Sequence, residues 1–222
     1  MNASVTTVPS NTNINNTTND NDKEEEINDI GGWNVVTFWK KENFKMNEHQ
    51  TTYLTNMFAS EILPGVYVGS KMAANDKAWL SDHKITHILT VAENIQPTYP
   101  ESYHYKLISI RDFATENILI HFEKAFKFIN QALAHPKGAI LIHCQAGISR
   151  STTIAISYIM RQQNLSYNDA LAFVVMKRPI TCPNPGFRQQ LQLYESIGYL
   201  NLKKNPKYWG YLLKRWSKNL LL

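Results

Sequence analysis

Cysteine is scarce in this chain. Among 222 residues there are two, Cys144 and Cys182. Two cysteines make no disulfide framework, so a cross-linked secreted scaffold is excluded and a reducing compartment is expected: the cytoplasm, with the nucleus as the alternative. Long apolar runs are missing too. No stretch reaches the roughly 18 apolar residues of a membrane-spanning helix. The N-terminus has neither the apolar core of a signal peptide nor the arginines of a transit peptide. Asn2 stands where N-myristoylation requires glycine. His87 and His143 lack the spacing of metal ligands, so no metal and no cofactor are expected. No internal repeat occurs.

Other absences are local. Residues 1–30 have almost no large apolar side chains and are rich in Asn, Thr, Asp and Glu. Such a segment buries too little surface to offset its ordering entropy, and it reads as a disordered acidic tail. It holds one Lys against six acids, a net of −5, so the rest of the +5 chain carries +10. A basic body suits anionic partners: phosphoproteins, nucleic acid or an anionic membrane surface. Residues 31–57 form an extension with Trp33, Phe38, Trp39, Phe44 and Tyr53. That is too aromatic for a plain linker; docking on the chain's own domain is favoured over docking on a partner. Residues 201–222 contain no acid, but Lys203, Lys204, Lys207, Lys214, Arg215 and Lys218 alternate with Tyr208, Trp209, Tyr211, Leu212, Leu213 and Trp216. This reads as a basic amphipathic helix. Packing on the domain is favoured over contact with a membrane surface or a partner groove.

Between the flanks, strands and helices alternate. Strands are predicted at Val66–Gly69, 86–91, 104–110 and 139–143. Helices are predicted from Asp76 to Asp82, from Ile118 to Ala134, from about 150, from Ser166 (capping-box-like, with Asp169) to before Pro179, and from Gly186 to Ile197. The pattern implies an α/β fold with a central mixed, mostly parallel sheet and helices on both faces. Ligand loops in such sheets lie at the carboxyl ends of strands.

One such loop is chemically distinctive. The apolar run Ala139-Ile140-Leu141-Ile142 leads into His143-Cys144-Gln145-Ala146-Gly147-Ile148-Ser149-Arg150-Ser151, and a helix with an apolar face follows. A strand, a tight Gly-containing loop and a helix N-terminus make an anion site, because backbone N–H groups converge there with the helix dipole behind them. A cysteine there would be held as thiolate, and an arginine at the loop's end can grip two phosphate oxygens. The chemistry suggested is attack by sulfur on phosphorus.

His-Cys, five residues, Arg and Ser resembles the signature of the cysteine-based protein tyrosine phosphatases. The wording Ala-Gly-Ile-Ser-Arg-Ser resembles their dual-specificity branch, of the atypical kind with fewer than 60 residues before the catalytic domain. The resemblance extends over residues 58–200. Ser60-Glu61-Ile62-Leu63-Pro64-Gly65-Val66-Tyr67-Val68-Gly69-Ser70 is similar to the family's opening strand and Ile85–Val91 to its second. Arg178-Pro179, Pro183-Asn184-Pro185-Gly186-Phe187 and Gln190-Leu191 are similar to its closing segment. The implied activity is hydrolysis of phosphotyrosine and phosphoserine or phosphothreonine in proteins through a phosphocysteine. The implied partners are phosphoproteins, with no nucleic acid. The loop carries no lysine, which disfavours inositol lipids. Phosphoinositide or RNA 5′-phosphatase activity, or a catalytically silent phosphoprotein-binding module, are the alternatives; silent relatives typically lack the Cys or the Arg.

Cys144 is thus the expected nucleophile and Arg150 the phosphate clamp. Gln145, Ala146, Gly147, Ile148 and Ser149 would supply the loop that binds the phosphate. His143 would orient the loop and tune the thiolate. Ser151 would donate to the sulfur, or cap the helix. A leaving group also needs a proton. Asp112 and Glu116, in one strand-to-helix loop, are equal candidates on their chemistry; the resemblance selects Asp112, five residues before Asn117. Asn184 would support the signature loop through Ser151 or its backbone, or merely make a Pro-Asn turn. Cys182 is a candidate redox partner of Cys144, and nothing in the spacing brings them within disulfide reach.

Overall fold

The computed structural model describes residues 58–136, 138–199 and 202–219. The expectations for residues 1–30 and 31–57 lie outside the described residues. The described strands are β1 (Ala59–Leu63), β2 (Val66–Gly69), β3 (Ile85–Val91), β4 (His104–Ile108) and β5 (Ala139–His143). They form a sheet of order β1-β2-β5-β3-β4. β5 lies between β2 and β3, parallel to both, and β3 pairs parallel with β4. Only β1 runs antiparallel, against β2. The sheet is therefore mixed and mostly parallel. Every residue of β5 is buried, because a strand covered on both faces needs an unbroken apolar sequence.

The segment 60–70 corrects the single opening strand expected there. Pro64-Gly65 turns the chain, so it is a hairpin of two short strands, with Glu61 opposite Tyr67. The Glu61 carboxylate accepts from Gly65 N–H at 2.9 Å and closes the turn. A short helix, α1 (Lys71–Ala74), was also unforeseen; α2 (Lys77–Asp82) follows, capped by Asp76, which accepts from Trp79 N–H. The expected helix from Ile118 begins instead as a 3-10 turn over Leu119–His121, and α3 is Phe122–Ala134.

The pleat divides the core. Ile140 and Ile142 of β5, with Leu89 and Val91 of β3, face α3, α4 (Arg150–Gln163), α5 (Tyr167–Lys177) and α6 (Pro185–Ser196). Ala139, Leu141 and Ile88 point the other way, under α1 and α2, with Phe58, Tyr67, Trp79 and Tyr105 at the margin. α4 is buried from Ser151 to Met160. Three of its buried polar residues, Thr152, Thr153 and Ser157, each donate to a carbonyl three or four residues back. The Ser166 start of α5 is as its sequence implies, with Ser166 Oγ accepting from Asp169 N–H. α7 (Pro206–Asn219) packs on the same core through buried Tyr208 and half-buried Leu212, while Trp209 and Leu213 are exposed.

Candidate active site

β5 ends at His143 and α4 begins at Arg150, so residues 144–149 form the crossover at the carboxyl end of the central strand. The loop's carbonyls are tied outward. Gln145 O accepts from Lys71 N–H at 3.1 Å, Ile148 O from Cys182 N–H at 2.9 Å, and Ser149 O from Thr153 N–H at 2.9 Å. Gly147 O accepts from Arg178 Nε at 2.8 Å. Turning the carbonyls out leaves N–H groups for the inner side of the turn, at the N-terminus of α4, where negative charge is favoured. Gly147 makes this possible. Its φ is +73°, and a Cβ there would lie 2.5 Å from Arg178 Nη2 and 2.7 Å from the Gly69 carbonyl. Gln145 and Ala146 sit on the exposed rim, Ile148 is half-buried and Ser149 buried.

Cys144 lies at the bottom, 1% exposed. Its sulfur accepts from Gly147 N–H at 3.2 Å and from the Ser151 hydroxyl at 3.3 Å. Ser151 therefore reaches the sulfur and does not cap α4. His143 is also 1% exposed. Burial lowers its pKa to about 4; the bond to the Cys144 backbone opposes that, and the charge of Lys71 adds to it. The ring is neutral near pH 7 and has one proton to donate. Its Nδ1 lies 3.2 Å from Cys144 O, which only accepts, so the proton sits on Nδ1 and Nε2 accepts from the Thr90 hydroxyl at 2.8 Å. His143 acts here by fixing the Cys144 backbone, not by carrying charge.

The buried cation against the loop is Arg178, to which the resemblance of Arg178-Pro179 to the family's closing segment assigns no role. It is 0% exposed and holds Gly147 O and, through Nη1, Ser60 Oγ at 3.1 Å. Burial lowers its pKa to about 10, with the charge of Cys144 opposing. It thus remains a cation near neutral pH. Its one sequence signal was an arginine directly before a proline, at the end of a predicted helix.

Arg150 and Asp112 complete the cluster. Arg150 Nε lies 3.5 Å from Asp112 Oδ2, an ion pair without a hydrogen bond, and Nη1 donates to Ile110 O at 3.3 Å. Asp112 Oδ1 accepts from Ser149 Oγ at 2.7 Å and from Asn184 Nδ2 at 2.8 Å. Asn184 caps α6 by accepting from Phe187 N–H at 2.9 Å, and its own N–H donates to Ser149 Oγ at 3.1 Å. Asn184 therefore does contact the signature loop, through Ser149 rather than Ser151 or the backbone, and it also holds Asp112. Glu116 is elsewhere, ion-paired with Arg111 at 2.7 Å. Cys182 is a free, exposed thiol that accepts from Arg188 Nη2 at 3.1 Å; Cys144 is free and buried.

A cysteine sulfur with two donors, a buried guanidinium holding its loop and an Arg–Asp pair at the loop's end make a site for cysteine-based phosphoryl transfer on an α/β sheet. Comparison with known proteins agrees. The family model for the dual specificity phosphatase catalytic domain matches residues 66–197. Dual specificity protein phosphatase 1B of Arabidopsis thaliana is 39% identical over 136 residues, 61% of this chain and 81% of that one. Dual specificity protein phosphatase 19 of Mus musculus is 42% identical over 134 residues, 60% of each chain. Among solved structures, the human tyrosine phosphatase-like serine/threonine/tyrosine-interacting protein superposes with TM-score 0.61 at 37% identity, over 65% of this chain and 99% of that one. The chain belongs to the dual specificity phosphatase family of the cysteine-based phosphatases, and its catalytic domain is that of a protein phosphatase.

Proposed function

We propose that the chain hydrolyses phosphotyrosine and phosphothreonine or phosphoserine in proteins by two-step covalent catalysis on Cys144. The observation that carries the reading is the convergence on one loop of the Cys144 sulfur, its donors Gly147 and Ser151, and the Arg150–Asp112 pair. In the first step the sulfur attacks phosphorus. The P–O bond to the side chain breaks, and Asp112 protonates the leaving oxygen. Arg150 and the loop N–H groups hold the phosphoryl oxygens, whose charge distribution they match best in the transition state. In the second step Asp112 takes a proton from water as the water attacks phosphocysteine. Inorganic phosphate leaves, and Ser151 donates to the departing sulfur. A nucleophilic thiol persists best in a reducing compartment, which supports a cytoplasmic or nuclear enzyme acting on signalling phosphoproteins.

The test is phosphate release by the purified chain and by Cys144→Ser. The substrates are matched phosphotyrosine and phosphothreonine peptides, an inositol phospholipid and a 5′-triphosphate RNA. Cys144-dependent release from both peptides is expected. Release from the lipid or RNA alone would move the activity to that substrate. Silence on all four would make the chain a phosphate-binding module.

A further inference from the structure

The loop that carries Asp112 is anchored at its far end by a helix outside the matched catalytic domain. Three residues, Gly186, Gln190 and Tyr208, hold residues 113–119. Ala114 lies against Gly186, where a Cβ would come 2.0 Å from Ala114 O. Gln190, fully buried, donates from Nε2 to Glu116 O at 2.8 Å and accepts at Oε1 from Leu119 N–H at 3.0 Å. Asn117 Nδ2 donates to the Tyr208 hydroxyl oxygen at 3.4 Å. Gly186 and Gln190 belong to α6, within residues 66–197; Tyr208 belongs to α7, beyond them.

Tyr208 is 4% exposed, although its neighbour Trp209 is 51% exposed. Its ring sits in the same core as Phe187 and Leu191 of α6, so its hydroxyl is fixed by packing. Asn117 Oδ1 is buried with no hydrogen bond. Turning the amide over would let the Tyr208 hydroxyl donate to Oδ1, so the two side chains are joined in either orientation. A carboxyl that must meet a leaving oxygen within hydrogen-bond reach needs both ends of its loop fixed, because small misplacements are costly in rate. Ser149 and Asn184 fix the Asp112 end; α6 and α7 fix the other.

We infer that Tyr208 is a positioning residue for the general acid: it holds Asn117, and with it the loop that presents Asp112, which makes the C-terminal helix a working part of the phosphatase. This rests on the reading of Asp112 as the acid. The test uses the full chain carrying Tyr208→Phe, which keeps the ring and loses the hydroxyl. The readout is kcat/KM, which reports the first phosphoryl transfer, on a phosphotyrosine peptide and on an aryl phosphate with a strongly acidic phenol. The peptide should slow about fivefold more than the aryl phosphate, the factor that corresponds to one ordinary hydrogen bond. Asn117→Ala should change the ratio equally, and the double variant should lose no more than either single one. Equal slowing of both substrates, or losses that multiply in the double variant, would overturn the positioning role. Asp112→Asn is measured alongside. If it does not discriminate between the substrates, the acid assignment fails and this inference fails with it; if it discriminates and Tyr208→Phe does not, only the positioning role is overturned.

Discussion

A neutral imidazole locked under the phosphate loop should make the protein acid-labile in a defined window. The His143 pKa is about 4 in the folded chain against an ordinary 6.5, chiefly because burial penalises the charged ring. The unfolded chain therefore binds a proton below about pH 6.5 that the folded chain refuses until about pH 4. Where the unfolded state binds more protons, stability rises with pH. The His143 contribution is thus fully present above pH 6.5 and is lost as pH falls towards 4. At about 1.4 kcal/mol per pKa unit the whole effect is on the order of 3 kcal/mol, of which about 2 kcal/mol falls between pH 7 and pH 5. That is a sizeable part of the 5–15 kcal/mol typical of a domain.

The assay is urea unfolding at pH 7 and pH 5, for the parent and for two non-titrating replacements. His143→Asn can keep the donor to Cys144 O, and His143→Gln can keep a partner for Thr90. Both will be less stable at each pH, so absolute stability decides nothing. What matters is the loss from pH 7 to pH 5, which should be smaller by about 2 kcal/mol in both variants than in the parent. Burial also lowers the pKa values of His87 and His121; both remain in every protein compared and cancel. An unchanged loss in the variants would refute the buried neutral ring, and with it the proton placement on Nδ1.

Two further outcomes test the loop and the acid. Asp112→Asn preserves an oxygen for Ser149 and Asn184 and removes the proton donor; it should slow phosphopeptide hydrolysis by roughly 10²- to 10⁴-fold while sparing an aryl phosphate with a good leaving group, as steady-state kinetics on the two would show. Gly147→Ala combines a positive φ with a clash against Arg178 and Gly69; it should cost roughly 1–3 kcal/mol in urea unfolding and lower activity by about 10²-fold, and a variant with parental kinetics would refute the close approach.

The parts of the site that are contiguous in sequence were legible in it, and the parts assembled across the fold were not. His143 to Ser151 is one uninterrupted run whose spacing follows from the geometry of a strand–loop–helix anion site, so its chemistry is readable from the residues alone. Asp112 was harder. Two carboxylates share its loop, and only the fold shows that Arg111 occupies Glu116 while Ser149 and Asn184 hold Asp112 at the loop. Arg178, Gln190 and Tyr208 lie 28 to 58 residues beyond Arg150 and act through single contacts that leave no periodic trace. The hairpin over 59–69 was missed for a related reason. β1 is a short edge strand, and strand pairing is a property of two segments rather than one. What burial adds is a criterion that residue type lacks. An arginine at 0% exposure, a glutamine at 0% and a tyrosine hydroxyl in the core each need a partner to offset lost hydration. Their partners include a carbonyl of the Cys144 loop and three points on the Asp112 loop, Glu116 O, Leu119 N–H and Asn117. These three buried polar side chains therefore hold the two reactive segments in place.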